Sequence, residues 1–390
     1  MHIKHDSVIY NDILFISKEG SMFNRSKKVQ KQFDWPLLLV TLALCIIGII
    51  ILNSASSRPK EIITQIIASA LGFIIVIILQ FVDMDALKRM GIPLYILSLL
   101  LLLATLFFGG GQEEWGANSW LTLGPISFQP SEFCKIFLIL ALAGLLEKKQ
   151  ATLNKPLVLL FIGIFCLIPL YMINKQPDFG TAAVILFVFG LMVFYSGLHW
   201  GYIICAIALA LIAIPYIYTR LSPGQQDRIL NFLDPSRDPM ASNYQILQGI
   251  IAIGSGQFSG QGYKQGLQTQ NGFIPEQETD YIFAVYSEEW GFIGGLVLII
   301  LYFIYLIRLM IIAKNAKDLY GSLVCVGVCA MVFIHIFENI GMTIGLMPVT
   351  GIPLPYMSYG GTFQLINLVG LGLALSVGTQ RKPLDFRASP

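Results

Sequence analysis

The chain has 390 residues, 55% of them hydrophobic and only 12% charged, with a formal net charge of +2. A soluble globular domain carries about 25% charged residues, so this composition excludes an ordinary soluble fold, and the near-neutral balance speaks against a nucleic-acid partner. Apolar runs of 18 residues or more recur along the chain, far longer than a barrel strand, so the expected class is an all-α polytopic membrane protein.

Residues 1–33 are polar, lack a signal-peptide core and are expected to form a cytoplasmic tail, which makes the first span an uncleaved anchor. A membrane domain over 34–380 follows. Its apolar segments are ten, at 36–53, 62–82, 91–109, 131–146, 156–174, 179–196, 199–219, 281–309, 321–346 and 358–379. With the N-terminus inside, the inner segments hold 17 Lys and Arg and the outer ones seven. That bias places both termini in the cytoplasm, including the tail 381–390. The outer face then carries a short loop, 110–130, with Trp115 and Trp120 suited to an interface, and one large loop, 220–280. Within the large loop, Ile246 to Ile253 reads as a short amphipathic helix on the membrane. The six cysteines lie in or beside apolar runs without a C-x-x-C pair, as buried small hydrophobes do.

Four polar motifs open spans at one level, the outer surface. Gln129-Pro130-Ser131-Glu132 opens the fourth, with Lys135 one turn in, and Gln176-Pro177-Asp178 opens the sixth. Glu276 to Asp280 opens the eighth, and Pro353 to Gly361, including Ser358, opens the tenth. Helix N-termini favour anions, so four such starts at one depth define a candidate outward-facing cradle. Plainer roles stand beside this. Ser131 and Asp178 are ordinary N-cap residues, Glu132 and Lys135 form an i,i+3 pair, and Asp280 reads as a cap reaching water. Glu288 and Glu289 sit eight and nine residues beyond Asp280, about 12 Å deeper on a straight helix. Acids at such depth face a cavity or a partner. Lys135, a neighbouring polar residue, or protonation of one Glu is expected to satisfy them. His335 and Glu338 are too few ligands for a metal and read as an intrahelical hydrogen bond.

The motifs FQPSEFCK (128–135), QPDFGTA (176–182), LDPSRDPMASNYQILQGIIAIGSG (233–256), GQGYKQGLQTQNGFIPEQETDYIFAVYSEEWGFIG (260–294) and GMTIGLMPVTGIPLPYMSYGG (341–361) resemble the SEDS family of shape, elongation, division and sporulation proteins. The likeness runs from about residue 35 onward and is closer to the RodA than to the FtsW branch. It implies ten transmembrane helices and an inverting peptidoglycan glycosyltransferase that joins lipid II units outside the bacterial cytoplasmic membrane, in cell shape, elongation or division. It also implies an essential aspartate at Asp280 and a class B penicillin-binding protein as transpeptidase partner. Two departures stand out: Glu278 replaces a histidine common before the TD pair, and Gly116-Ala117-Asn118-Ser119-Trp120 lacks a common arginine.

The chemistry needs a base and an anion holder. Asp280 is the candidate general base for the attacking sugar hydroxyl, its proton affinity raised by partial desolvation and by Glu276 and Glu278. Lys135, held by Glu132, together with the helix starts at Ser131 and Asp178, is the candidate holder of the departing polyprenyl diphosphate. Ser358 and Glu276 complete the expected substrate-binding set. A divalent cation between carboxylates and diphosphate is compatible, though no spacing demands one. The competing classes are a transporter that flips a lipid-linked precursor, weakened by the lack of an inverted repeat, and a scaffold, for which intramembrane acids are costly.

Overall fold

The computed structural model describes residues 33–111, 118–124, 126–220, 226, 227, 229, 230, 232 and 243–380. In chain order its helices are α1 Trp35–Ala55, α2 Pro59–Leu79, α3 Met84–Phe108, α4 Pro130–Lys149, α5 Pro156–Asn174, α6 Phe179–Tyr195 and α7 Trp200–Tyr218. There follow the shorter α8 Tyr244–Ser255 and α9 Leu267–Gln270, then α10 Ile282–Lys314, α11 Leu319–Thr343 and α12 Gly361–Thr379. A helix therefore lies on each expected apolar segment. Seven of them, α1, α2, α3, α5, α10, α11 and α12, are long and apolar enough to cross a membrane. The protein is a polytopic helical membrane protein.

The helix starts follow local chemistry. Asp34, Asp83, Asp178 and Asp318 cap α1, α3, α6 and α11 by accepting backbone N–H bonds. Prolines occupy the first turns of α1, α2, α4 and α5, where a missing N–H costs nothing. The expected all-α class holds, with one small addition in a loop. β1 Leu121–Leu123 and β2 Ile126–Phe128 pair antiparallel in the loop before α4, turning at Gly124.

Packing sorts the helices into two kinds. In α11 and α12, 83% of the apolar stretch is buried, against 22–39% in the other five spanning candidates. A helix buried all round forms the middle of a bundle, and one with a broad exposed apolar face belongs against lipid. Ion pairs and side-chain bonds fix which ends lie together. Arg308 grips Asp34 with two bonds, of 3.1 and 2.6 Å, tying the start of α1 to the end of α10. Lys88 pairs with Glu147, start of α3 to end of α4, and Gln380 after α12 bonds Val82 and Met84 between α2 and α3. The opposite end holds the start of α4, the start of α6, the end of α11 and the TD turn before α10.

The 243–281 part of the large loop folds into the bundle. α8 occupies the expected amphipathic stretch and packs on α10 and α11, with Ala252 buried. α10 is broken at Gly291, whose φ of 66° and ψ of −164° leave the helical region. Phe283 Cζ and Ser287 Oγ come within 4.0 and 3.9 Å of the point a Cβ on Gly295 would occupy. A straight helix would hold Phe283 and Gly295 about 18 Å apart, so the 282–290 segment folds back on 292–314. The position needs glycine twice over: φ is left-handed, and a Cβ would lie 2.3 Å from the Gly260 nitrogen.

This fold-back corrects the depth expected for Glu288 and Glu289. Glu289 reaches Ser54, in the last turn of α1, rather than a point 12 Å further into the membrane than Asp280. Their partners are neighbouring polar groups and backbone amides, not Lys135. Glu288 Oε1 accepts from Gln268 N at 2.8 Å, and its Oε2 accepts from Thr269 N at 3.0 Å and Thr269 Oγ1 at 2.6 Å. Glu289 Oε1 accepts from Lys264 N at 3.0 Å and from the Ser54 hydroxyl. The two acids clamp the 264–269 stretch against α10.

Candidate functional site

Each of the four polar motifs is held by a different element, and tertiary contacts bring them to one place. Gln129 Nε2 donates to Asp178 Oδ2 at 3.0 Å, and Thr181 N donates to Asp178 Oδ1 at 3.1 Å. Asp178 is thus both the cap of α6 and the joint between the starts of α4 and α6. The other two motifs pair through backbone. Tyr359 N donates to Glu278 O at 2.8 Å, and Ser358 Oγ donates to Thr279 O at 2.6 Å. Gly180 ties the two pairs, since a Cβ there would meet Ile352 Cγ1 at 2.6 Å and Thr350 O at 2.9 Å.

The charged centre lies between α4 and α11. Lys135, only 2% exposed, donates to Glu132 Oε1 at 2.8 Å and stands 3.0 Å from His335 Nε2. His335 Nδ1 is 2.7 Å from Met331 O. A carbonyl can only accept, so Nδ1 carries the ring proton and Nε2 accepts from the ammonium. The Phe363 ring closes a third side, with its centroid 5.5 Å from Lys135 Nζ. Ser131 Oγ, Glu132 Oε2, Glu338 Oε2 and Asn339 Oδ1 are buried without a hydrogen-bond partner. Buried polar atoms are normally satisfied, so this region retains unused capacity to hold donors. Among the described residues no group of three or more His, Cys, Asp and Glu is arranged to hold a metal ion.

Asp280 is half-buried at the end of a tight turn built by Glu276. The Glu276 carbonyl accepts from the amides of Thr279, Asp280 and Tyr281, and its φ of 50° is left-handed. The N-cap of α10 is Tyr281, so Asp280 is not the cap that the spacing allowed. Its Oδ2 lies 3.6 Å from the point a Cβ on Gly351 would take, and its carbonyl accepts from Asn339 Nδ2 at 2.8 Å. Glu278, beside it, has its carboxyl pKa raised, first by burial and further by Glu61 and Glu276.

Of the expected residues, Glu132, Lys135, Asp178 and Asp280 converge, and Ser131 sits at the start of α4 with an unmet hydroxyl. Glu276 is exposed, and its carboxylate accepts from the Thr279 hydroxyl at 3.1 Å, so it shapes the turn. The Ser358 hydroxyl accepts from Leu354 N at 2.8 Å while donating to Thr279 O, bracing the turn that carries Asp280. The loop carrying Ser358 is pinned in turn: Tyr302 OH donates to Pro355 O at 2.6 Å, and Tyr356, at φ 66°, meets Tyr305 OH at 2.7 Å. His335 and Glu338 do not bond each other. The sequence signal for a second role was the i,i+4 spacing of His335 and Asn339, which puts both on one face of α11.

Fold and site together define a multi-pass membrane protein with a buried Lys–Glu–His centre set beside an aspartate turn. The chain belongs to the FtsW/RodA/SpoVE family, described as cell cycle protein, whose model matches residues 35–383. It is 35% identical over 357 residues to the peptidoglycan glycosyltransferase MrdB of Escherichia coli, covering 90% of this chain and 95% of that one. It is 30% identical over 429 residues to the peptidoglycan glycosyltransferase RodA of Treponema pallidum, covering 90% and 98%. Among solved structures, a chain of a peptidoglycan synthase complex superposes with a TM-score of 0.78 at 34% identity, covering 89% of this chain and 97% of its own. The rod shape determining protein RodA of Thermus thermophilus superposes with a TM-score of 0.69 at 32% identity, covering 90% and 98%.

Proposed function

We propose that this chain is an inverting peptidoglycan glycosyltransferase that polymerises lipid II into glycan strands at the outer face of the bacterial cytoplasmic membrane, in cell shape, elongation or division. The observation that carries this reading is the joining of the buried Lys135–Glu132–His335 centre to the Asp280 turn, in a chain whose relatives bear that activity. In the reaction, a sugar 4-hydroxyl of one lipid II attacks the anomeric carbon at the reducing end of the strand. The bond from that carbon to the polyprenyl diphosphate breaks, the diphosphate leaves with the electron pair, and the configuration inverts.

Asp280 takes the hydroxyl proton, a role open to a half-buried carboxylate at the rim of an apolar bundle. Lys135 is too enclosed to present an open surface, so its charge acts across a short low-dielectric gap on the negative charge growing on the diphosphate. The start of α4, with the unmet Ser131 hydroxyl, faces the same task at closer range. A class B penicillin-binding protein is the proposed partner that cross-links the product. Termini inside, and the 220–280 loop outside, set the site on the face where lipid II is consumed. A reporter inserted after residue 265 is expected to read as external.

The deciding experiment incubates the purified protein with lipid II in detergent and separates the products by size. Wild type is expected to make glycan polymer, and Asp280→Asn to lose at least about 100-fold in rate while eluting as a folded protein. No polymer from wild type would favour a transporter or scaffold, and full rate from Asp280→Asn would remove the base assignment.

A further inference from the structure

We infer that α11 is the positioning bar of the reaction centre: His335 and Asn339, one turn apart on one face, hold Lys135 and Asp280 at a set separation. The inference rests on the glycosyltransferase reading above. At one anchor, His335 is itself locked by the bond from Nδ1 to Met331 O, 2.7 Å within the same helix. Its Nε2 then offers one lone pair in a fixed direction, and Lys135 Nζ meets it at 3.0 Å. With Glu132 on a second side and the Phe363 ring on a third, the ammonium has little freedom to wander.

At the other anchor, Asn339 is fully buried, and its amide nitrogen has two hydrogens. Both are used: Nδ2 donates to Asp280 O and to Ile352 O, each at 2.8 Å. Those carbonyls flank the Asp280 carboxylate, since Gly351, next to Ile352, lies beside Oδ2. Asn339 therefore sets the backbone on both sides of the base.

The two anchors are four residues apart, about 6 Å along the helix. An in-line inverting displacement needs the base on the nucleophile's side of the anomeric carbon and positive charge on the leaving group's side. The distance between the two groups is therefore what the protein must hold, and a misplacement of about 1 Å can cost about 100-fold in rate. α11 suits this task, being buried along 83% of its apolar stretch at the middle of the bundle. Neither His335 nor Asn339 is placed against substrate, so both are positioning residues.

The test measures kcat and KM for lipid II polymerisation by His335→Leu, His335→Gln and Asn339→Asp. Asn339→Asp keeps the shape but sets a carboxylate against two carbonyls. His335→Leu and Asn339→Asp are expected to lower kcat by about 100-fold with KM changed less than about threefold, and His335→Gln, whose amide oxygen can accept from Lys135, to recover most of the loss. A structural role alone would lower the folded fraction and leave the kcat of the folded fraction intact. Folded His335→Leu or Asn339→Asp protein with wild-type kcat, or with a loss confined to KM, would overturn the inference.

Nitrogen NMR of histidine-labelled wild type tests the His335 anchor without any variant. A neutral His335 with the proton on Nδ1 and a hydrogen-bonded Nε2 is expected, and a proton on Nε2 sinks the proposal. Absence of polymer from wild type would fail the glycosyltransferase reading instead, and the NMR outcome stands apart from it.

Discussion

Glu288 and Glu289 lie against the 264–269 loop, and Glu132 lies against Lys135; all three acids are shielded from water, and they are satisfied in opposite ways. The loop acids receive backbone N–H groups, from Lys264, Gln268 and Thr269, and hydroxyls, from Ser54, Ser255 and Thr269. Glu132 is met by a titratable side chain, Lys135, that is itself bonded to another, His335. Backbone amides and Ser or Thr hydroxyls do not change their proton count near neutral pH, so the first arrangement can only hold a shape. The second can shift charge and hydrogen bonds when a ligand arrives. A buried acid in a membrane protein is thus a pointer to function only after its partners are known.

Removing Lys135 presses hardest on that contrast. Lys135→Met leaves Glu132 as an unpaired buried acid, an expected loss of about 3–5 kcal/mol in stability, read as a lower melting temperature in detergent. Adding Glu132→Gln is expected to restore most of the stability and none of the polymerisation. If the double variant recovers activity, the Lys–Glu pair belongs with the scaffold.

The loop side is tested next by Gly291→Ala. Strain at left-handed φ alone costs about 1–3 kcal/mol, before the clash of the new Cβ with the Gly260 nitrogen at 2.3 Å. Faster hydrogen exchange and proteolysis across 256–270 are expected. A change at the same place without backbone strain is Glu288→Gln, which keeps one acceptor oxygen and turns an NH2 donor toward the amide of Gln268 or Thr269, leaving that N–H unsatisfied at roughly 1–3 kcal/mol. Exchange at those two amides should rise while polymerisation falls far less than in Lys135→Met. A larger activity loss in Glu288→Gln would erase the distinction between the two regions.

The smallest effect concerns Glu278, at the rim between them. Its raised pKa means the folded protein binds its proton more tightly than the unfolded chain does. Its contribution to stability is therefore full below the ordinary carboxyl value of 4.5 and falls as pH rises through the folded value. Glu278→Gln is expected to raise the melting temperature slightly at neutral pH and to leave it unchanged below pH 4.5, which a melting series across pH would show.

The helices were legible because hydropathy is a local property. Each of the ten apolar segments carries a helix, the aspartate before α6 caps it, and Ile246 to Ile253 falls inside α8. The residues of the centre were legible one by one, since charged groups inside apolar runs are conspicuous. Their partnerships were not. Lys135 and His335 are 200 residues apart, and nothing in the H-x-x-E spacing separates an intrahelical bond from a bond across the bundle. Nothing in the sequence around Ser358 tells that its hydroxyl bonds Leu354 and Thr279, the latter 79 residues away.

By itself, then, the sequence determined the class of protein, the positions of its long helices and which residues stand out chemically, because burial in lipid selects composition segment by segment. Only the tertiary structure decided that α10 folds back at Gly291, that Glu288 and Glu289 bind a loop, and that α11 joins Lys135 to Asp280. A single glycine's backbone angles leave apolar composition unchanged, and a hydrogen bond across the bundle depends on where two distant segments come to rest.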